Sequence, residues 1–258
     1  MILRGNLNVK RNVPTLFIKA ILCLAASFTL LGASLAFQQP KPAPGKSKPA
    51  AIASPPPQAA PQKESDKLDR PTSAPYTGSL SIFEDAKRDE KLQINRVMDI
   101  LKIKEGSRVA DIGAGSGWFT VRAARRVGAE GKVYAVEINQ DYLKHIEARA
   151  AREGFANVRA VLGRADDPLL PAAGIDAVLI LKTYHEIAEP IRLLRNLRRS
   201  LSAGALVGII DRNGAGDDHG LDDRKVIAEA ERAGFALVEQ HDFVKPDGMD
   251  YFLVFRAR

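Results

Sequence analysis

From about Ser81 onward, short apolar runs alternate with stretches of helical spacing, almost to the end of the chain. Ile82, Phe83, Leu92, Ile94, Val97, Met98, Ile100 and Leu101 predict an N-terminal helix or helix pair that stops near Lys104-Glu105-Gly106. Strands are then expected at 108–112, 132–137, 157–162, 175–181 and 205–211, and helices at 118–127, 139–153, 189–201 and 220–233. Runs such as Ala177-Val178-Leu179-Ile180-Leu181 are apolar without alternation. A strand of that kind is buried on both faces, as in a parallel sheet covered by helices. The last two runs, 235–244 and 251–255, are joined through Pro246-Asp247-Gly248, a strong turn signal. A tight turn joins antiparallel neighbours, so the final strand must oppose the rest. The pattern therefore predicts an α/β, doubly wound, mostly parallel seven-stranded sheet with an antiparallel C-terminal strand.

Upstream the pattern is different. Arg4, Lys10, Arg11 and Lys19 precede an uncharged stretch from Ala20 to Phe37, with Ser34-Leu35-Ala36 as a small-residue cleavage site. Residues 1–37 are thus expected to be a signal peptide or, if uncleaved, a membrane anchor, since eighteen uncharged residues can just span a bilayer. Either outcome exports the rest of the chain to the periplasm or the exterior, or tethers it outside the cytoplasm. Residues 38–75 hold ten of the fifteen prolines among Ala, Lys, Ser and Gln, a composition that cannot bury a core and is expected to be an unfolded linker. The globular domain is expected over 76–258. Cys23, the single cysteine, lies in the apolar stretch, so a processed chain would carry no thiol.

Charge changes the picture only by its location. The formal net charge of +7 is matched by residues 1–75, with ten Lys/Arg against three Asp/Glu, while residues 76–258 hold 28 of each. Steering of polyanions by net charge is therefore unsupported, and no nucleic-acid partner is expected. Arg192, Arg195 and Arg199 share a face of one predicted helix and read as its solvated side.

The chemistry concentrates at the first predicted strand. Val109-Ala110-Asp111-Ile112-Gly113-Ala114-Gly115-Ser116-Gly117-Trp118 is a strand that stops at three alternate glycines before a helix starts. Glycines let the backbone approach a ligand, and the new helix offers free N–H groups. A dinucleotide fingerprint, G-x-G-x-x-G/A, needs a small sixth residue for close helix packing, and Trp118 stands there instead. Asp111 would also repel a pyrophosphate. The pattern D-x-G-x-G-x-G resembles motif I of the class I S-adenosylmethionine-dependent methyltransferases, whose cofactor carries a sulfonium and an amino group. The reversed final strand is a second point of resemblance, and the likeness covers about residues 82–258.

Ligands of open parallel sheets sit beyond the carboxyl ends of the strands. Glu137, with Ile138 beside it, ends the second predicted strand, where an acid can accept hydrogen bonds from ribose hydroxyls. By resemblance, Asp166, or alternatively Asp167, would meet the adenine amino group. Asp111, Gly113, Ala114, Gly115, Gly117, Glu137, Ile138 and Asp166 are the expected cofactor residues. After the fourth strand comes Lys182-Thr183-Tyr184-His185-Glu186, where enzymes of this family meet the methyl group and its acceptor. Tyr184 and His185 are the expected catalytic pair, one orienting an acceptor and one removing its proton. The Asn-Pro-Pro-Tyr type of tetrapeptide seen in methyltransferases acting on amino groups of DNA and protein is missing here, which favours a small-molecule acceptor. Asp211, Asp217, Asp218, His219, Asp222 and Asp223 crowd the loop after the fifth strand without a recognised ligand spacing, so no metal is expected. The resemblance implies methyl transfer from S-adenosylmethionine. Two rival readings are an adenosyl-binding module without turnover and a nicotinamide-dependent oxidoreductase.

Overall fold

The computed structural model describes Leu68 and residues 70–258 apart from Asp217, Pro246 and Asp247, all within the unit Gln58–Arg258. The expected signal or anchor at 1–37 and most of the expected linker lie outside the described residues, as does most of the final turn. Among the described residues, no helix is long and apolar enough to cross a membrane.

A helix pair, α1 (Arg88–Leu92) and α2 (Ile94–Ile100), leads into alternating strands and helices. These are β1 (Arg108–Ile112), α3 (Trp118–Val127), β2 (Lys132–Glu137), α4 (Gln140–Arg152), β3 (Val158–Leu162), β4 (Ile175–Leu181), α5 (Pro190–Arg198), β5 (Leu201–Arg212), α6 (Asp223–Arg232), β6 (Phe235–His241) and β7 (Asp250–Ala257). The seven strands form one sheet in the order β3-β2-β1-β4-β5-β7-β6. Strands β1 to β5 pair in parallel, and β7 inserts antiparallel to both β5 and β6. The reversed final strand expected from the turn signal is present.

Period-two alternation explains the two core layers. Ala177, Leu179 and Leu181 of β4 face α2, α3 and α4, whereas Val178 and Ile180 face α5 and α6. Each fully buried aliphatic side chain contributes about 1.5–3 kcal/mol, so both faces of every central strand hold the helices in place. The fifth strand starts earlier than its apolar run. Leu201 pairs with Ile175, then the register shifts through an exposed stretch containing Gly204 at φ +79°, and pairing resumes at Leu206 with Ala177. The small residues of that irregularity, Ser202, Ala203 and Gly204, hide the start of the strand from a hydrophobicity reading.

Packing also starts before residue 76. The Arg70 guanidinium is buried and grips Glu229 of α6 through Nε (2.8 Å) and Nη2 (3.2 Å). Ser73 is buried too, and its backbone N–H donates to the His185 carbonyl at 3.2 Å. Residues 70–75 thus run along the globular unit, held by charge and hydrogen bonds that a composition reading assigns to a linker.

Candidate functional site

The chain order reverses direction in the sheet between β1 and β4, and the cavity opens there, beyond the carboxyl ends of the strands. It measures about 1000 Å³. One end is made from the glycine loop, the ends of β1 and β2, and α1. The other is made from the segment after β4, residues 72–77 and the loop after β5.

At the first end, Gly113, Gly115 and Gly117 all take positive φ (+70°, +53° and +73°). A Cβ on Gly113 would overlap the Thr183 side chain, and one on Gly115 would meet only the Phe83 ring, at 3.6 Å. The Gly115 backbone is therefore open to a ligand. Gly117 serves the helix instead, capping α3 and lying against Ile146 of α4, and it does not line the cavity. Glu137 is buried and rigidly held, with Oε2 accepting from Gly115 N at 3.0 Å and Oε1 from Ile138 N at 2.8 Å and Asn139 N at 3.1 Å. Carboxylate lone pairs remain for further donors. Ile138 lies beside it as an exposed apolar wall.

Asp111 points from β1 toward α3, where the Thr120 hydroxyl donates to its Oδ2 at 2.6 Å. Burial pushes its pKa from 3.8 up to about 7, against the Thr120 hydrogen bond and the nearby Arg88 charge, with Glu137 adding to the rise. Arg88 is a cavity residue that the sequence reading missed. Its Nη1 donates to the Phe83 carbonyl at 2.7 Å, and its guanidinium stacks over Trp118 at 4.5 Å, with Arg122 over the same ring at 4.0 Å. Trp118, the residue that breaks the dinucleotide fingerprint, therefore anchors Arg88 above the glycine loop.

Asp166 is a correction. Arg192 of α5 draws its carboxylate away (Nε–Oδ2 3.0 Å), Arg199 holds the alternative Asp167 at 3.2 Å, and neither lines the cavity. Arg164 and Ala165 do so instead. The same ion pairs occupy part of the arginine face of α5.

At the second end, Tyr184 and His185 sit in a single helical turn, Tyr184–Glu186, after β4. The two side chains part company. Tyr184 is fully buried in the layer beneath α5 and α6, away from the cavity, with Arg70 over its ring at 5.9 Å. Burial, then the charge of Glu229, pushes its phenol well above 10. It is a core residue, and the expectation that it lines the acceptor side is corrected. His185 does line the cavity. Its Nδ1 lies 2.9 and 3.0 Å from the two oxygens of buried Asp211, whose Oδ2 also accepts from the His185 backbone N–H at 3.1 Å. Acceptance by Asp211 places a proton on Nδ1 and turns Nε2 toward Glu186, 3.8 Å away. Glu186 is half-buried, and that burial raises its pKa. His219, from the loop after β5, meets the His185 ring edge-on at 5.7 Å.

Asp211 appears in the sequence only as one acid among several. The signal that finds it is topological: β4 and β5 are neighbours, with Leu181 paired to Ile210, so residues just past both strand ends must meet.

Comparison with known proteins agrees with this geometry. Residues 109–204 match the family model described as a methyltransferase domain. A ubiquinone/menaquinone biosynthesis C-methyltransferase of Idiomarina loihiensis is 30% identical over 115 residues, which cover 44% of this chain and 46% of that protein. The aklanonic acid methyltransferase DauC of a Streptomyces species is 32% identical over 95 residues, covering 37% and 42%. The chain spans about half the length of the curated relatives it matches. A solved S-adenosylmethionine-dependent methyltransferase from Aquifex aeolicus shares the fold, with a TM-score of 0.63 at 23% identity over 68% of this chain and 95% of that one. Residues 109–204 accordingly match a methyltransferase domain, and the chain has the fold of a solved S-adenosylmethionine-dependent methyltransferase.

Proposed function

We propose that this chain transfers the methyl group of S-adenosylmethionine to a small-molecule acceptor, with the donor at the glycine-loop end of the cavity and the acceptor at the His185 end. The observation that carries this reading is a single cavity of about 1000 Å³ whose two ends differ in chemistry. That volume is at the top of the range for small-molecule sites, roughly 300–1,000 Å³, and gives room for two ligands side by side.

The residues of the first end fit an S-adenosyl ligand. When bound, it supplies an electrophilic methyl group on a cationic sulfur. Arg88 has guanidinium donors for a carboxylate, Asp111 opposes positive charge, and Glu137 accepts from ribose hydroxyls. Ile138 offers an apolar face to the adenine, and Tyr76, Ile82 and Phe83 help close the cavity against water. At the other end, Asp211 holds His185 with Nε2 free to accept a proton or a hydrogen bond from an acceptor. Methyl transfer demands mainly close, aligned reactants, which a cavity with room for both ligands side by side supplies.

Relatives whose names specify ubiquinone/menaquinone biosynthesis and aklanonic acid support an acceptor of small-molecule size. The test is transfer of labelled methyl by the full-length chain to a panel of naphthoquinols, catechols and phenolic polyketides. Labelled product is expected with at least one of them, with turnover falling about 10²- to 10⁴-fold in His185→Ala. Transfer to none of them above the His185→Ala level would instead favour a binding module without turnover.

Export through residues 1–37 is part of the proposal. A reporter fused after Gln39 should leave the cytoplasm, and a reporter that stays inside uncut would refute it.

A further inference from the structure

The turn after β4 and the loop after β5 bring two imidazoles and a carboxylate to one wall of the cavity. One nitrogen or oxygen from each of His185, Glu186 and His219 lies within 4.8 Å of the others. We propose that these three side chains bind a divalent transition-metal ion of the zinc type at the acceptor end of the cavity.

Four features carry the inference. Two imidazoles with one carboxylate is a donor set that suits zinc and its neighbours in the first transition row. Three protein ligands leave a coordination position open, and here all three residues line the cavity, so the open position faces the space where an acceptor would sit. The buried Asp211 carboxylate grips His185 at Nδ1, the outer-sphere arrangement that orients a metal-bound histidine and raises its basicity. Finally, one buried residue pins both histidines. Ser73 donates through its backbone N–H to the His185 carbonyl at 3.2 Å, accepts at Oγ from His219 N–H at 3.2 Å, and donates from Oγ to the Gly216 carbonyl at 3.0 Å.

Donors around a tetrahedral ion with bonds near 2.0–2.1 Å lie about 3.3 Å apart, so closure on the ion from separations of up to 4.8 Å draws Glu186 and His219 inward by up to roughly 1.5 Å. Exposed His219 and half-buried Glu186 can make that movement while His185 stays on Asp211. The ligands come from two separate loops, so no sequence spacing announces them, and the proposal revises the expectation of a metal-free site. An ion there would occupy Nε2 of His185 and take over its role toward the acceptor, acidifying a bound hydroxyl and favouring acceptors with adjacent oxygen donors, such as a catechol or a hydroxyl beside a carbonyl. That last step rests on the methyltransferase reading; ion binding itself does not.

The test is titration of the full-length chain, stripped with a chelator, with Zn²⁺ by calorimetry and with Co²⁺ by its visible absorption. One equivalent should bind. His185→Ala and His219→Asn should each weaken binding at least tenfold, Asn being chosen because it tolerates the left-handed φ of +57° at position 219. Asp211→Asn should weaken it about 10- to 100-fold through loss of the outer-sphere bond. Failure to saturate at one equivalent, or unchanged affinity in His219→Asn, would overturn the proposal. S-adenosylmethionine binding, titrated separately without metal, tells the two readings apart: ion binding without it sinks the methyltransferase reading and leaves the ion site standing, and the converse leaves only the methyltransferase.

Discussion

The two ends of the cavity are built in opposite ways. The glycine-loop end is built mainly from short contiguous stretches, 111–118 and 137–138, whose geometry follows from a strand running straight into a helix, with Arg88 of α1 added from outside them. The His185 end is assembled from residues 72–77, 185–186, 211 and 219, which meet only because β4 and β5 are neighbours and because Ser73 ties two loops together. A contiguous site tolerates loss of a distant tether. An assembled one depends on it.

The largest expected effect is at Gly115. Asn can adopt its φ of +53°, yet fills the space beside Phe83, so Gly115→Asn should weaken S-adenosylmethionine binding at least 100-fold with little loss of stability. Calorimetry checks the first and thermal unfolding the second. Binding unaffected by that side chain would remove the ligand from the loop.

Arg70→Ala probes the tether. It strands Glu229 in the core, and breaking a buried pair costs about 3–5 kcal/mol, readable in urea unfolding. At temperatures where the variant is folded, its S-adenosylmethionine affinity should stay within about threefold of the parent while turnover falls. Equal damage to both ends would erase the distinction between them.

Arg88→Ala should cost about 1.5–3 kcal/mol in S-adenosylmethionine binding, the worth of a hydrogen bond to a charged group, or roughly 10- to 100-fold. Adenosine, which has no carboxylate, should bind the variant and the parent alike. A matching loss for adenosine would place the guanidinium elsewhere in the site.

Asp111 makes the donor end pH-sensitive. Its pKa rises from 3.8 to about 7 on folding, so between those values the folded chain binds a proton that the unfolded chain does not. Stability of the ligand-free protein therefore falls as pH rises through that window. Affinity for the cationic ligand should move the other way, weakening by up to about tenfold per unit below pH 7. Asp111→Asn should flatten both profiles, and a persistent slope in the variant would assign the titration to another group. The smallest effect is expected of Tyr184→Phe, whose hydroxyl has no hydrogen-bond partner among the described residues. Turnover should be unchanged and stability altered by less than about 1 kcal/mol.

Sequence legibility follows the same division. The succession of strands and helices, the reversed β7 and the glycine loop were readable because hydrophobic period and turn chemistry are local properties. Glu137 was readable because a strand end fixes its position. Asp166 misled because loop acids take whichever cation is nearest, and Arg192 is nearer than any cavity. Tyr184 and His185 are adjacent in sequence and point apart, a fact set by which neighbour each finds: the layer of α5 and α6 for one, Asp211 for the other. Arg88 was hidden because its value depends on Trp118, thirty residues away in the chain and 4.5 Å away in space.

Trp118 is the single tryptophan of the chain, and it lines the cavity beneath Arg88. Its fluorescence therefore reports directly on the donor end of the full-length protein. Titration with S-adenosylhomocysteine should give a saturable one-to-one change that is absent with NAD and lost in Gly115→Asn. A flat signal with the adenosyl ligand, or an equal response to NAD, would contradict the assignment of that end to an S-adenosyl ligand.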